Sequence, residues 1–375
     1  MTEFNYVATC LFGLEKFVGE EIDACGGNRT ETIDGRVYFK GTEDVLAKTN
    51  INLRTAERVF IEVGKFKAET FTELFDQVKE IPWEQFIGKK DAFPVKGHSI
   101  KSALHSIPDC QSIIKKAIVE RLKQAYRVDW FEETGVKYQI EFFILNDVVS
   151  VMLDTSGVAL HKRGYRTESG AAPIRETLAA ALVKISRPRE DVRLWDPFCG
   201  SATIPIEAAL IMTNIAPGQF RHFSAEKYDF LNKGIWKNAR EEAISSIKSD
   251  SSFVAYASDI DKNVLKTAQA NIKRAKMDKF IKLFHADALS LKNDGVRTTI
   301  VCNPPYGERL DSIREARDLY KKMGNVFSNL SPWQIYIITS EEEFEKLYGK
   351  KADKVRKLYN GMLKCGYYQY FKKQI

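Results

Sequence analysis

No apolar run in this 375-residue chain reaches the roughly 18 to 20 residues that carry a helix across a bilayer. Its first residues, Met1-Thr2-Glu3-Phe4-Asn5, lack the basic and apolar regions of a signal peptide. A membrane-embedded or secreted protein is not expected, and a cytoplasmic one is. Cysteine is sparse and scattered: the six residues, at positions 10, 25, 110, 199, 302 and 365, form no CxxC pair. That spacing offers neither a zinc site nor a disulfide framework, so no metal is expected and the thiols read as free and buried. Internal repeats of solenoid period and low-complexity tracts are absent too. Apolar residues make up 44% of the sequence, enough for ordinary cores, which excludes wholesale disorder.

At this length about two or three domains are expected. The net charge of +7 suits a polyanionic partner, a balance that many proteins without one share. The chain divides best near residue 165. Beyond it, strands alternate with helices. Val192 to Phe198, Phe253 to Ser258, Ile281 to His285, Thr299 to Cys302 and Trp333 to Ile338 read as strands. Ile204 to Met212, Lys262 to Lys276 and Ile313 to Leu330 read as helices. This pattern predicts βαβ units and a mostly parallel sheet. Val355 to Tyr359 and Cys365 to Phe371, joined around Asn360-Gly361, predict a closing antiparallel hairpin. The first half reads as α+β in two small lobes. Strands are expected at Val7 to Leu11, Arg36 to Lys40 and Arg58 to Val63, and an amphipathic helix at Ser112 to Tyr126. A hairpin is expected around Asn146-Asp147.

Four constellations in the second half carry chemistry, each following a strand. In Asp196-Pro197-Phe198-Cys199-Gly200-Ser201-Ala202-Thr203 a strand ends, a glycine turn follows and a helix begins. Ligands of open α/β sheets bind beyond the carboxyl ends of the strands, and free N–H groups at a helix start suit a carboxylate. A tight turn made for packing explains this segment equally well. In Ser258-Asp259-Ile260-Asp261, Asp259 is assigned to the two hydroxyls of a ribose and Asp261 to capping the next helix. In His285-Ala286-Asp287-Ala288, Asp287 is either an acceptor for an adenine amino group or a simple loop aspartate.

The fourth, Asn303-Pro304-Pro305-Tyr306, weighs most. Two prolines remove two N–H donors and hold the backbone extended. The Asn303 side-chain oxygen and the Pro304 carbonyl can then accept both hydrogens of one planar NH2 group. That pulls a delocalised, poorly nucleophilic amine toward a tetrahedral geometry with its lone pair aimed at a methyl donor, and alignment supplies much of the rest. Tyr306 offers a face for an extruded base. The competing explanation, a proline-marked turn with a capping asparagine, loses ground once the three upstream sites stand in order.

The motif resembles that of class I S-adenosylmethionine-dependent amino-methyltransferases. Leu160 to Arg166 and Ala172-Pro173-Ile174-Arg175-Glu176-Thr177 resemble the entry to the catalytic domain of THUMP-containing RNA methyltransferases. The large-subunit (23S) rRNA guanine-N2 methyltransferases, formerly labelled N6-adenine-specific DNA methylases, are similar over nearly the whole chain. The resemblance implies a ferredoxin-like lobe at 1–54, a THUMP domain at 55–160, including Lys101 to Ser106, and a Rossmann-like methyltransferase domain at 161–375. It implies S-adenosylmethionine as cofactor, lined by Asp196, Cys199, Gly200, Asp259 and Asp287. Asn303, Pro304 and Tyr306 would hold the base. Where the family usually has glycine, this chain has Ala202, a departure compatible with a helix start. The residues alone imply a base-amine methyltransferase; RNA, and guanine N2 over adenine N6, come from the resemblance only.

For the RNA, the expected contacts are Lys162, Arg163 and Arg166 near the domain junction and Arg309 beside the motif, since phosphate contacts supply affinity without sequence information. Further basic clusters stand at Lys65-Lys67, at Lys89-Lys90 with Lys96, and at Lys115-Lys116 with Arg121, Lys123 and Arg127. Adenine-N6 methylation of RNA or DNA is the alternative reaction. A non-catalytic RNA-binding assembly factor is the alternative of another class, against which all four sites are intact. The sequence leaves monomer and homodimer equally open.

Overall fold

The computed structural model describes residues 3–166, 174–307 and 310–371. They form two compact units. The first comprises the N-terminal residues to Thr9, Val18–Leu160 and Phe220–Glu241; the second comprises Cys10–Phe17, His161–Gln219 and the chain from Glu242 onward. Residues 220–241, expected in the second half, join the first unit. Within that unit Tyr228 stacks on Tyr138 with ring centroids 4.3 Å apart, and its hydroxyl donates to the Asp154 carbonyl.

In the first unit the two expected lobes share one seven-stranded sheet. Its strands are β1 (Phe4–Cys10), β2 (Asn28–Ile33), β3 (Arg36–Gly41), β4 (Ala56–Lys67), β5 (Val95–Ile100), β6 (Ile140–Leu145) and β7 (Val148–Asp154). They run in the order β2-β3-β1-β4-β7-β6-β5. The long β4 is the cause: it pairs with β1 on one side and with β7 on the other, so both expected lobes share it. The β6–β7 turn has Asn146 and Asp147 both at positive φ (50° and 63°), the geometry a two-residue type I′ hairpin needs.

The second unit holds the other sheet: β8 (Arg193–Asp196), β9 (Ala255–Asp259), β10 (Ile281–His285), β11 (Thr298–Cys302), β12 (Gln334–Thr339), β13 (Lys354–Asn360) and β14 (Leu363–Tyr370). Its order is β10-β9-β8-β11-β12-β14-β13. The pairs from β10 through β12 are parallel, and β14 and β13 close the sheet antiparallel. This is a Rossmann-like α/β fold with the expected terminal hairpin. Side chains alternate between two cores. Val301, Tyr336, Ile338 and Tyr367 face the helices Glu176–Ser186 and Thr203–Met212. Ile300, Cys302, Ile335 and Ile337 face the helix Leu310–Phe327. The chain leaves β8 toward β9 and β10 on one side, then leaves β11 toward β12 on the other. A crevice therefore opens at the carboxyl ends of β8 and β11, the topological switch point where open α/β sheets bind ligands.

Candidate active site

Three loops meet the carboxyl edge of this sheet. The first follows β8. Asp196 is buried, and its carboxylate accepts the Phe198 N–H at 3.1 Å, holding the turn from within. Burial pushes its carboxyl well above the usual range, an effect the Phe198 N–H opposes and the neighbouring Asp259 adds to. Cys199 donates its backbone N–H to the Ser258 carbonyl at 3.0 Å, tying the turn to β9. Its side chain packs into the core instead of lining the crevice as expected, and burial raises its thiol. Gly200, at φ +50°, has open space above it: a methyl group there would meet no atom within 4 Å. A ligand can thus approach the bare backbone, which only glycine permits without strain.

Ala202 caps the helix Thr203–Met212 in the left-handed region, at φ 63° and ψ 26°. This corrects the view of it as an ordinary helix-start alanine. The position asks for glycine, and an alanine there carries a conformational cost of roughly 1–2 kcal/mol.

The second loop follows β9. Asp259 accepts the Gly200 N–H at 3.0 Å with one carboxylate oxygen and the Asp261 N–H at 3.0 Å with the other. Each oxygen keeps a lone pair for a further donor. Asp261 caps the helix Lys262–Arg274 by accepting the Asn263 N–H at 2.7 Å, as expected of it. After β10, Asp287 is exposed and accepts the Leu289 N–H at 2.9 Å, capping a short turn.

The third loop follows β11. Asn303 is half-buried and Pro304 buried. The Tyr306 hydroxyl donates to Asn303 Oδ1 and lies 4.0 Å from the Cys365 sulfur. The amide oxygen expected to receive a base amine is thus already engaged by one donor, with its second lone pair left over. Tyr306 itself leans on the core, and burial raises its phenol. Tyr320 secures the loop by donating to the Pro305 carbonyl at 2.8 Å. With that hydrogen committed, Thr339 supplies the one in its 3.0 Å bond to Tyr320. Since Ile300 stands beside Trp195 in the β11–β8 register, the Gly200 turn and Asn303 leave neighbouring strand ends.

The expected phosphate contacts fare differently. Arg163 is buried: its side chain is 2% exposed, its Nε lies 3.4 Å from the Glu207 carboxylate, and Glu207 is itself inaccessible. A guanidinium so placed braces the second unit from within and is not presented to a phosphate. Arg166 pairs with Glu176 at 3.1 Å and donates to the Ile174 carbonyl at 2.9 Å. Lys162 is exposed, and Arg309 lies outside the described residues. In the first unit Lys65, Lys67, Lys96, Lys115 and Arg121 each lie beside a carboxylate: Glu31, Glu69, Glu141, Glu133 and Glu84. Three further positioning residues have no local mark in the sequence or only a faint one. These are Glu207, Tyr320 and Asn271, which donates to the Ser201 carbonyl at 3.0 Å from a fully buried position. A lone glutamate in the apolar run Ile204 to Met212 is the one signal that points to the first of them.

Among the described residues no group of acids, histidines or cysteines is arranged to hold a metal, and no helix is long and apolar enough to cross a membrane.

The RMKL-like methyltransferase domain model matches residues 163–369, more than half of the chain. The chain belongs to this methyltransferase family. Models of the RlmL ferredoxin-like domain and the THUMP domain match residues 5–60 and 68–154. A Bacillus subtilis (strain 168) protein named "Putative RNA methyltransferase YpsC" is 44% identical over 375 residues, covering 100% of this chain and 97% of its own length. The ribosomal RNA large subunit methyltransferase K/L of Shewanella baltica (strain OS155) is 30% identical over 376 residues, covering 97% of this chain. The chain spans about half, 52%, of that longer relative. The crystal structure of SMU.472, "a putative methyltransferase complexed with SAH", is 39% identical and covers 100% of both chains with a TM-score of 0.93.

Proposed function

We propose that this methyltransferase uses S-adenosylmethionine to methylate the exocyclic N2 amine of a guanosine in 23S rRNA. S-adenosylmethionine supplies the electrophilic methyl group. The residues fit that cofactor: the space over Gly200 is open, and the Asp259 carboxylate retains lone pairs at the end of β9 for ribose hydroxyls. Asp196 and Cys199 shape the turn from beneath, and Asp287 stands at the end of β10 for the adenine.

The observation that carries the reading is Asn303-Pro304-Pro305-Tyr306 at the end of β11, beside β8 at the switch point. Asn303 and the Pro304 carbonyl accept the two hydrogens of the target amine. Tyr306 releases Asn303 and gives its ring to the base, which leaves its stack to reach this depth. Lys162 and Arg309 take the phosphates flanking the flipped base, with Arg166 positioning the entry to the catalytic unit. Its residues lie within 161–375, with the ferredoxin-like part at 1–54 and the THUMP domain at 55–160 presenting the RNA in the cytoplasm.

Transfer of a labelled methyl group from S-adenosylmethionine to an unmodified large-subunit rRNA transcript tests the reading. Digestion to nucleosides should place the label in N2-methylguanosine. Label in N6-methyladenosine would move the chemistry to adenine, and a folded protein that does not bind S-adenosylmethionine would favour a non-enzymatic assembly role.

A further inference from the structure

We propose that a cleft beside the target-base site binds the neighbouring nucleotide of the substrate RNA strand, an inference that rests on the RNA reading above. The cleft lies between the turn after β12 and the β13–β14 hairpin. Its volume is about 370 Å³, within the ~300–1,000 Å³ of small-molecule clefts. Ser340, Glu342, Val355, Lys357, Lys364 and Cys365 are among the residues that line it.

Its place in the fold is the first argument. β14 runs antiparallel to β12 with Gly366 opposite Thr339, so the hairpin tip projects past the carboxyl end of β12. That is the edge from which Asn303 projects. Cys365 joins the two sites through the hairpin: it is among the cleft's lining residues, and its sulfur, on the opposite face of β14 from Lys364, is 4.0 Å from the hydroxyl of Tyr306, which bonds Asn303. An RNA strand with its target base at Asn303 would reach this cleft by rounding the hairpin tip.

Chemistry is the second. Lys357 is exposed and has no ion pair among the described residues; its ammonium sits 5.4 Å over the Tyr359 ring. Lys364 has only a 3.6 Å partner in Glu342, and both are well exposed, at 59% and 84%. Such surface pairs contribute little, so a phosphate can displace the carboxylate from Lys364 at small cost. Glu342 is then free to accept from a base N–H. Beyond Lys357, Tyr359 meets Phe12 edge-on with centroids 5.8 Å apart, and Phe12 is 51% exposed. Met362, at 99%, crowns the hairpin turn. Lysines interleaved with exposed aromatic and apolar faces match the phosphates and bases of a single strand better than they match an acidic peptide.

The test uses the full chain carrying Lys357→Ala with Lys364→Ala, and the unmodified large-subunit rRNA transcript as probe. The KM for the transcript should rise about ten-fold, and the slope of log Kd against log salt should shrink by about 1.4, for two lost single-strand phosphate contacts. The kcat at saturating RNA and the calorimetric Kd for S-adenosylmethionine should stay within about two-fold, since cofactor and reacting groups are untouched. Lys346→Ala, removing a lysine 80% exposed outside the cleft, serves as the charge control and should leave the KM unchanged. A double variant whose KM and salt slope equal those of a wild type that methylates the transcript overturns the cleft alone. A wild type that neither binds nor methylates the transcript overturns the RNA reading and the cleft with it.

Discussion

The Asp259 carboxylate accepts the Gly200 N–H at 3.0 Å across 59 residues of sequence. One acid thus joins the glycine turn after β8 to the end of β9, while its other oxygen takes the Asp261 N–H. The side chain proposed to hold the cofactor ribose thus also braces the local fold. Asp259→Ala should therefore weaken S-adenosylmethionine by at least about ten-fold and also cost about 1–3 kcal/mol of stability, since charged acceptors carry stronger hydrogen bonds. Calorimetry and thermal melts of one preparation check both. Weaker binding with an unchanged melt would contradict the bracing role.

Ala202 sits in the left-handed region at φ 63° and is fully buried. Ala202→Gly removes the backbone strain but also a buried methyl and some unfolded-state order, so the terms offset to within about 1 kcal/mol. Ala202→Val adds a β-branch at the same φ and should cost more than about 2 kcal/mol. Denaturant midpoints decide; a neutral valine variant would contradict the backbone geometry.

Arg163 and Glu207 form a pair out of reach of solvent, and the Tyr165 hydroxyl donates to the same carboxylate at 3.0 Å. Removing one charge strands the other, so Arg163→Ala should cost about 3–5 kcal/mol. Its effect on RNA binding should vanish once the folded fraction is accounted for. A stable variant with a reduced salt slope for RNA would restore the phosphate role to Arg163.

Asp196 has its carboxyl held well above the usual range by burial. A raised folded pKa favours the protonated native state, so the stability it contributes is present below the unfolded value, near 3.9, and is lost as pH rises. The difference in melting temperature between Asp196→Asn and wild type should accordingly shift in favour of the asparagine variant from about pH 4 to pH 8. A difference constant across that range would contradict burial of the carboxyl.

Much of the catalytic unit was legible because its signals are local. A strand ending at Asp196, a glycine at 200 and a helix from Thr203 follow one another within a few residues. Asn360-Gly361 announces the terminal hairpin as plainly, with Asn360 paired to Leu363. What escaped depends on distant partners. The expected strand Arg58 to Val63 stops where Gly64 interrupts the pattern, yet β4 continues through a register shift between Glu62 and Gly64 to Lys67. The two lobes share one sheet because β4 pairs with β7 from Phe60, opposite Asp154, onward, a long-range partner that no local pattern announces. Arg163 reads as surface charge because its partner Glu207 is 44 residues away. Residues 220–241 carry no local mark of the unit they join; ring stacking of Tyr228 on Tyr138 helps fix them there.

Guanine N2 at Asn303 is the central claim. Its most direct test is mass analysis of nucleosides from rRNA of a strain lacking the gene, complemented with wild type or with Asn303→Ala. N2-methylguanosine should be lost at one large-subunit position, return with the wild-type gene and stay absent with the folded, cofactor-binding alanine variant. Unchanged N2-methylguanosine in the deletion strain, or its full return with Asn303→Ala, would contradict the account.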